Sequence, residues 1–160
     1  MNKKKMIIMR GCPGSGKSFI ARKIAGKRGI ICSADDYHLD PETREYNWKP
    51  ENVKLAHEWC RNKALNCIKN GDSPIIIDNT FIKRWEIQEY KSILLTAIDL
   101  NYKVSIKEPD PTWYFYKTAF NAEELFKRNT HKVPLETIKN MINNYVPNIS
   151  VEDILRSQNE

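Results

Sequence analysis

The sequence has 160 residues, 41% of them hydrophobic and 29% charged, with 6 glycines, 8 prolines and a formal net charge of +6. This composition excludes disordered and fibrous proteins, and the length predicts a single domain over residues 1–160. No apolar run approaches the roughly 20 residues of a membrane span, and the run MIIM is too short for a secretory signal. We expect a cytoplasmic protein with no membrane partner. A nuclear location is the alternative that the sequence leaves open. The four cysteines contain no C-x-x-C pair and are predicted to be reduced thiols.

Positive charge is concentrated near the N-terminus. Residues 1–34 contain nine Lys or Arg and no Asp or Glu, whereas the rest of the chain has 17 basic and 20 acidic residues. Such a distribution favours a polyanionic partner, either a nucleotide alone or a nucleotide together with nucleic acid. A solvated basic helix face would give the same pattern.

Short β-rich runs alternate with longer helical patterns, which is typical of an α/β fold with a mostly parallel central sheet. The run SPIIIDNT is apolar and continuous, so we predict a central strand that is buried on both faces. Gly and Pro mark several of the helix ends. We predict strands at 5–10, 28–33, 73–80 and 102–108. We predict helices at 18–26, 50–70, 84–99, 121–129 and 134–145, followed by a polar tail at about 147–160. The first helix is expected to have Phe19, Ile20 and Ile24 on its apolar side.

Residues 11–18, GCPGSGKS, match the phosphate-binding pattern G-x-x-x-x-G-K-[ST] at every fixed position, between a predicted strand and a predicted helix. In this pattern, backbone N–H groups and a helix N-terminus surround the phosphates, the lysine reaches the β- and γ-phosphates, and the hydroxyl ligates Mg²⁺. We therefore expect ATP and Mg²⁺ as cofactors, with Lys17 also catalytic and Ser18 a metal ligand. The predicted nucleotide-binding residues are Gly11, Cys12, Pro13, Gly14, Ser15, Gly16, Lys17, Ser18 and Phe19.

Carboxylates follow two of the predicted strands, where open parallel sheets bind their ligands. Asp78 closes the run PIIID and is predicted to hold Mg²⁺ or to orient Ser18. Asp35 and Asp36 follow the second strand, and a carboxylate there can accept the proton of an attacking hydroxyl. We favour that role for Asp35, and helix capping or turn formation for Asp36.

A basic turn is predicted between the last two long helical patterns. The segment KRNTHK places Lys127, Arg128, His131 and Lys132 within six residues. A guanidinium at such a turn can neutralise charge on a transferring phosphoryl group, and closure of the turn can exclude water. An exposed basic turn without function is the alternative interpretation.

Four segments in this order, GCPGSGKS, SADDY, IIIDNT and EELFKRNTHKVP, resemble the small P-loop kinase domain related to phage polynucleotide 5′-kinase. The sequence is similar to the kinase domain of the NEDD-four-binding protein two family and its short "like" relatives. That family's elements DD, HEW, PIIIDNT, EPD and RN-x-H-x-V are matched at 35–36, 57–59, 74–80, 108–110 and 128–133. The resemblance covers residues 6 to about 146.

The resemblance implies a 5′-hydroxyl polynucleotide kinase that uses ATP and Mg²⁺. It implies a P-loop NTPase-type three-layer sandwich with a helical lid at about 120–133, and the 5′ end of a single-stranded RNA or DNA as partner. Asp35 would be the general base and Arg128 would lie on the lid over the phosphates. The substrate-binding residues implied are Asp36, His38, Asn79 and Thr80.

Two departures from the phage-type pattern leave the acceptor open. The phage enzyme has an arginine three positions after the catalytic aspartate, where this sequence has His38, which is only partly charged near neutral pH. The segment TWYFYKTAFNA is longer than its counterpart, and its aromatic residues 113–116, like Trp48, either stack on nucleobases or pack in the core. The alternatives are therefore a P-loop kinase for a small hydroxylated acceptor and a nucleotide-binding adaptor with little catalysis. The oligomeric state is not predicted.

Overall fold

A four-stranded sheet is the centre of the structure, a computed structural model that describes residues 2–110, 112–115 and 119–157. The strands are β1 Lys5–Met9, β2 Ile30–Cys32, β3 Ile75–Asp78 and β4 Lys103–Lys107. Their order is β2-β3-β1-β4, and every pair of neighbours runs parallel. The predicted α/β class is confirmed, and β3 is a central strand as the run SPIIIDNT indicated.

Helices connect these strands and follow the last of them. Over the described residues they are α1 Lys17–Ala25, α2 Val53–Asn70, α3 Arg84–Gln88, α4 Lys91–Asp99, α5 Thr112–Phe115, α6 Ala119–Arg128, α7 Leu135–Asn144 and α8 Val151–Arg156. Two short 3₁₀ helices, Ala34–His38 and Pro50–Asn52, lie between β2 and α2.

Helices cover both faces of the sheet. Side chains alternate along a strand, so consecutive residues of a buried strand face opposite layers. Met6 packs with α2, α4 and α8 on one face. Met9 and Ile76 pack against Ala21 and Ala25 of α1 on the other face. The predicted three-layer sandwich is confirmed.

The buried side of α1 differs from the expected one. The sequence predicted that Phe19 would lie on the apolar side of this helix, but its side chain is 66% exposed. Ala21 and Ala25 face the sheet instead. Small side chains there let the helix lie close to β1 and β3, while the larger Ile20 and Ile24 are only partly buried.

The single helix predicted at 84–99 is wrong, because the chain forms α3 and α4 with a break at Glu89 and Tyr90. Tyr90 is fully buried at this break. Its hydroxyl lies 2.9 Å from His57 Nδ1 and accepts a hydrogen bond of 3.4 Å from the Asn79 amide. A buried hydroxyl without hydrogen-bond partners would be costly. These two partners, which are distant in sequence, hold Tyr90 in the core at the point where the predicted helix is interrupted.

The C-terminal tail docks on the sheet face that carries α4. Ile149 and Ile154 are buried in that core. A capping box starts α8, since Ser150 Oγ accepts from the Asp153 N–H at 3.1 Å and Asp153 Oδ2 accepts from the Ser150 N–H at 2.9 Å. The polar character of the tail therefore belongs to its exposed side and its cap.

The helices α6 and α7 share a second core, which also contains Cys12, Ile82 and Trp113. The Trp113 ring packs edge-on against Tyr145, with 4.6 Å between ring centroids. Of the two roles open for the aromatic segment, Trp113 takes core packing. Tyr116 lies outside the described residues. Both predicted helices, at 121–129 and 134–145, are confirmed.

All four cysteines, Cys12, Cys32, Cys60 and Cys67, are buried and free. Among the described helices, none combines the length and the apolar character that crossing a membrane requires.

His57 on α2 should make the stability of the fold depend on pH. Burial lowers the pKa of His57 below 6.5, and the Arg61 guanidinium lowers it further. The unfolded chain then binds a proton at a higher pH than the folded chain does, so the free energy of unfolding falls as the pH drops below about 6.5. In urea titrations at pH 7.5 and pH 5, His57→Gln should lose less stability between the two pH values than the unmodified chain.

Each protein is compared with itself at the two pH values. Loss of the contact between residue 57 and Tyr90 lowers the stability of the variant at both pH values and therefore cancels from the difference. Equal losses of stability in the two proteins would show that His57 is protonated as readily in the fold as in the unfolded chain.

Candidate active site

The loop between β1 and α1 has the geometry that its sequence pattern predicts. Gly14 and Gly16 have φ values of 81° and 95°, in the left-handed region that favours glycine. The Gly11 N–H donates to the Thr80 carbonyl at 3.0 Å, which ties the loop to the segment after β3. The Ser15 hydroxyl is buried and has no hydrogen-bond partner among the described residues. The loop therefore offers polar groups and a helix N-terminus to an anion.

Asp78 lies between the two residues that end this loop. Ser18 Oγ donates to Asp78 Oδ2 at 2.8 Å, and Lys17 Nζ lies 3.4 Å from Asp78 Oδ1. Lys17 and Asp78 are both buried. A hydroxyl and a carboxylate side by side are hard oxygen donors of the kind that Mg²⁺ prefers, so this pair fits the predicted metal site.

The neighbouring residue, Asn79, connects β3 to the turn after β2. Asn79 Oδ1 accepts a hydrogen bond of 2.9 Å from the Ala34 N–H. Asn79 Nδ2 donates to the Tyr90 hydroxyl, so both polar ends of the amide are engaged inside the protein. The Asp35 N–H in turn donates to Ser33 Oγ at 3.2 Å, which caps the 3₁₀ helix. These bonds fix the position of Asp35.

Two side chains distant in sequence contact the Asp35 carboxylate. The Tyr46 hydroxyl donates to Oδ1 at 3.2 Å, and His131 Nε2 lies 3.6 Å from Oδ2. The rings of Tyr46 and His131 face each other with 4.5 Å between centroids. Burial, and then the negative charge of Asp35, raises the pKa of Tyr46, so its hydroxyl stays a donor. Sequence reasoning missed Tyr46, for which no local signal exists, and noted His131 only as part of a basic turn.

One cavity of about 600 Å³ brings most of the predicted site residues together. Its wall includes the phosphate-binding loop, the turn after β2, the end of β3 and the lid segment 128–134. The predicted residues that line it are Pro13, Gly14, Gly16, Lys17, Ser18, Phe19, Asp35, His38, Asn79, Thr80 and Arg128.

Five predicted residues do not line the cavity. Asp78 acts on it through Ser18, and Gly11 and Ser15 belong to the inner part of the loop. The Cys12 side chain lies in the second core, where burial raises its pKa to about 12, so the thiol is neutral and its backbone alone faces the loop interior. Asp36 does not line the cavity, in contrast to its neighbour Asp35, and partial burial raises the pKa of the Asp36 carboxyl.

His38 reaches the cavity as an uncharged imidazole. Its side chain is 8% exposed, and burial lowers its pKa despite the nearby Asp35 carboxylate. Its Nδ1 is buried without a hydrogen-bond partner among the described residues. Where the phage-type enzymes have an arginine, this chain therefore presents a neutral hydrogen-bonding group.

The helix α6, which leads into the lid segment, lies directly against the phosphate-binding loop. A Cβ on Gly14 would overlap the Leu125 carbonyl oxygen of α6. Arg128 ends α6, and the Val133 N–H donates to Asn129 Oδ1 at 2.9 Å, which closes the turn that follows. This turn places Arg128 and His131 on the same cavity wall.

A buried arginine supports the start of the loop. Arg10 donates to the carbonyl oxygens of Phe81 and Ile82 and to Glu108 Oε1, the last at 2.8 Å. Its guanidinium lies 4.3 Å from the centre of the Tyr145 ring. These contacts join β1, the segment after β3 and α7, and nothing in the local sequence distinguishes Arg10 from the other basic residues of the N-terminal segment.

Comparison with known proteins is consistent with this geometry. A family model described as an AAA domain matches residues 6–147. NEDD4-binding protein 2 of Homo sapiens is 37% identical over 154 residues, which cover 95% of this chain and 8% of that protein. The 2′,3′-cyclic-nucleotide 3′-phosphodiesterase of Pongo abelii is 25% identical over 146 residues, which cover 86% of this chain and 30% of that protein. The chain therefore spans a minor part of the length of either relative.

A chain of the solved Pnkp1/Rnl/Hen1 RNA repair complex has a similar fold. The TM-score is 0.60 at 18% sequence identity, and the match covers 90% of this chain and 44% of that chain. The match to this solved chain shows that nearly the whole of the present chain adopts the same fold.

Contact between the phosphate-binding loop and α6 can be tested with two glycines. Gly14→Ala and Gly16→Ala both force a side chain into the left-handed region, at a cost of about 1–2 kcal/mol each. Gly14→Ala must also displace the Leu125 backbone, whereas a Cβ on Gly16 meets nothing within 4 Å. In urea denaturation, Gly14→Ala should lower the free energy of unfolding distinctly more than its matched control, Gly16→Ala. Equal decreases would mean that α6 does not lie against Gly14.

Proposed function

The chain belongs to the AAA-domain family of P-loop proteins, and from this premise we propose that it is a kinase that transfers the γ-phosphate of ATP to the 5′-hydroxyl of a polynucleotide. One observation supports this proposal above the others. The phosphate-binding loop, the Asp35 carboxylate and Arg128 of the lid line the same cavity. A phosphate donor, a proton acceptor and a cation are thus close enough to act on one reaction.

The donor half of the site would bind Mg²⁺ and ATP. Ser18 and Asp78 would hold the ion, and the bound ion would neutralise charge on the β- and γ-phosphates. Lys17 Nζ lies 3.4 Å from Asp78 Oδ1, and in the proposed complex its ammonium also contacts the phosphates. The backbone of the loop and the N-terminus of α1 fix the remaining phosphate oxygens.

Asp35 would act as the general base. The 5′-hydroxyl oxygen attacks the γ-phosphorus, its proton passes to the Asp35 carboxylate, and the bond to the β–γ bridging oxygen breaks to release ADP. Tyr46 holds one carboxylate oxygen at 3.2 Å. The other oxygen, which faces His131 of the lid, is the one that would take the proton.

Arg128 would complete the site when the lid closes. Its guanidinium would stabilise the charge on the transferring phosphoryl group, and the closed lid would exclude water that otherwise hydrolyses ATP. The lid segment already forms one wall of the cavity.

On the acceptor side we assign His38 and Thr80 to substrate contact and Asn79 to positioning. Both polar ends of Asn79 are engaged, one of them with the backbone that precedes Asp35. The solved chain of similar fold comes from an RNA repair complex, and the basic N-terminal 34 residues favour a polyanion. Both points support a polynucleotide acceptor.

A kinase for a small hydroxylated acceptor is the second candidate. The neutral state of His38 favours it, because an uncharged imidazole attracts the phosphate of a nucleic acid less than the phage-type arginine does.

Transfer from γ-labelled ATP is the direct test. The chain should label 5′-hydroxyl oligonucleotides of RNA or DNA in the presence of Mg²⁺, and Lys17→Ala should abolish labelling. Asp35→Asn should lower kcat by roughly 10²–10⁴-fold, the usual contribution of a general base. Asp36→Asn is the matched control, since this adjacent carboxylate does not line the cavity. Absence of transfer to any oligonucleotide with nucleotide binding intact would refute the proposal, and equal effects of the two substitutions would refute the role of Asp35.

Tyr46→Phe tests the orientation of the base. The substitution removes the hydroxyl that donates to Asp35 but keeps the ring that faces His131. We expect kcat to fall about tenfold with nucleotide affinity unchanged, since a hydrogen bond to a charged group is worth about 1.5 kcal/mol. An unchanged kcat would mean that Asp35 is oriented without Tyr46.

A further inference from the structure

Two aromatic rings and a lysine lie on the surface beside the cavity, and we call Tyr37, Trp59 and Lys63 the aromatic ledge. Tyr37 and Trp59 are each 37% exposed, with 6.2 Å between their ring centroids. Lys63 Nζ lies 5.6 Å from the centre of the Trp59 ring. Lys63 is held there by a hydrogen bond of 2.9 Å to the Ile31 carbonyl. The ledge thus combines exposed aromatic surface with a partly buried lysine, which also interacts with the Asp36 carboxylate.

The aromatic ledge continues the wall of the cavity. Tyr37 belongs to the same 3₁₀ helix as Asp35, and its ring lies 5.9 Å from the His38 ring, which lines the cavity. Trp59 lies three positions after Ala56, another lining residue, so the two are neighbours along one side of α2. A chain that leaves the cavity on the side of His38 would therefore meet Tyr37 first and then Trp59.

We propose that the aromatic ledge binds the nucleotides that follow the 5′ end of a single-stranded polynucleotide, with bases stacked on Tyr37 and Trp59 and a backbone phosphate near Lys63. The inference rests on the proposed function, which places the 5′-hydroxyl at Asp35. Exposed aromatic rings beside a cation are the usual means of holding single strands without regard to sequence.

The ledge also resolves a difficulty on the acceptor side. His38 carries no charge with which to hold an acceptor phosphate. Contacts further along a strand, at Tyr37 and Trp59, would add affinity that His38 does not supply, and a small acceptor confined to the cavity would not touch Trp59. Trp48, 52% exposed on the cavity wall, offers a further ring for the first base. A strand that reaches the ledge would therefore gain contacts that a single nucleotide in the cavity lacks.

Binding of a fluorescein-labelled single-stranded 12-mer with a 5′-hydroxyl, measured by anisotropy at fixed salt, tests the ledge without requiring catalysis. Trp59→Ala should weaken binding by roughly 5- to 150-fold, the range that loss of one stacked base gives. Trp59→Phe should restore most of the affinity because it retains a ring. Trp85→Ala is the matched control, since Trp85 is 55% exposed on α3 and does not line the cavity.

The inference is overturned if the Kd of Trp59→Ala for the 12-mer lies within twofold of the Kd of the unmodified chain. Equal weakening by Trp59→Ala and Trp85→Ala would overturn it too, as would weakening by Trp59→Phe as severe as that by Trp59→Ala. A 12-mer that does not bind the unmodified chain at all would mean that the exposed rings serve another partner, such as a protein.

Kinetics then separate the ledge from the proposed function. The ratio of the KM for the 12-mer to the KM for a nucleoside 3′-phosphate should rise in Trp59→Ala, while the two KM values keep their ratio in Trp85→Ala. Transfer to both acceptors with an unchanged ratio in Trp59→Ala would leave the kinase intact and refute the ledge. Binding of the 12-mer that depends on Trp59, without transfer to either acceptor, would support the ledge and refute the kinase.

Discussion

Two neighbouring side chains at the end of β3 determine how the halves of the site face each other. Asp78 holds Ser18 and lies beside Lys17, while Asn79 holds the backbone N–H of Ala34, which precedes Asp35. The strand order places β3 between β1 and β2, so one side chain reaches the loop after β1 and the other reaches the turn after β2. The spacing between the loop and the Asp35 carboxylate therefore depends on one buried strand.

The second core links the proposed lid to this frame. The helices α6 and α7 pack in the second core, which they share with Cys12 of the phosphate-binding loop and with Ile82. They contact both halves of the site, with Leu125 against Gly14 on the donor side and His131 beside Asp35 on the acceptor side. Closure over ATP would thus alter the surroundings of the base as well as those of the phosphates.

Local features of the sequence were enough to predict the sheet, the phosphate-binding loop and the two lid helices, because each depends on residues close in the chain. The errors arose where distant residues decide the outcome. Tyr90 breaks a helix because its hydroxyl meets His57 and Asn79 in the core. Phe19 is exposed because smaller residues of α1 face the sheet.

For the candidate site, too, the sequence predicted which segments come together but not every side chain that reaches the cavity. Asp35 and Asp36 are indistinguishable as adjacent carboxylates, and the 3₁₀ helix after β2 sends one to the cavity and the other away from it. Tyr46 reaches Asp35 across eleven residues by an antiparallel contact between Leu39 and Tyr46 that has no sequence pattern. Roles that depend on such contacts require coordinates.

The central claim is that one cavity places the acceptor oxygen between Asp35 and the γ-phosphorus. A crystal structure of the chain with Mg²⁺, a non-hydrolysable ATP analogue and a 5′-hydroxyl trinucleotide tests it most directly. The account predicts the 5′ oxygen about 2.6–3.2 Å from an Asp35 carboxylate oxygen and about 3–3.5 Å from the γ-phosphorus, in line with the bond to be broken. A trinucleotide bound with its 5′ oxygen remote from Asp35, beside a correctly seated nucleotide, would contradict it.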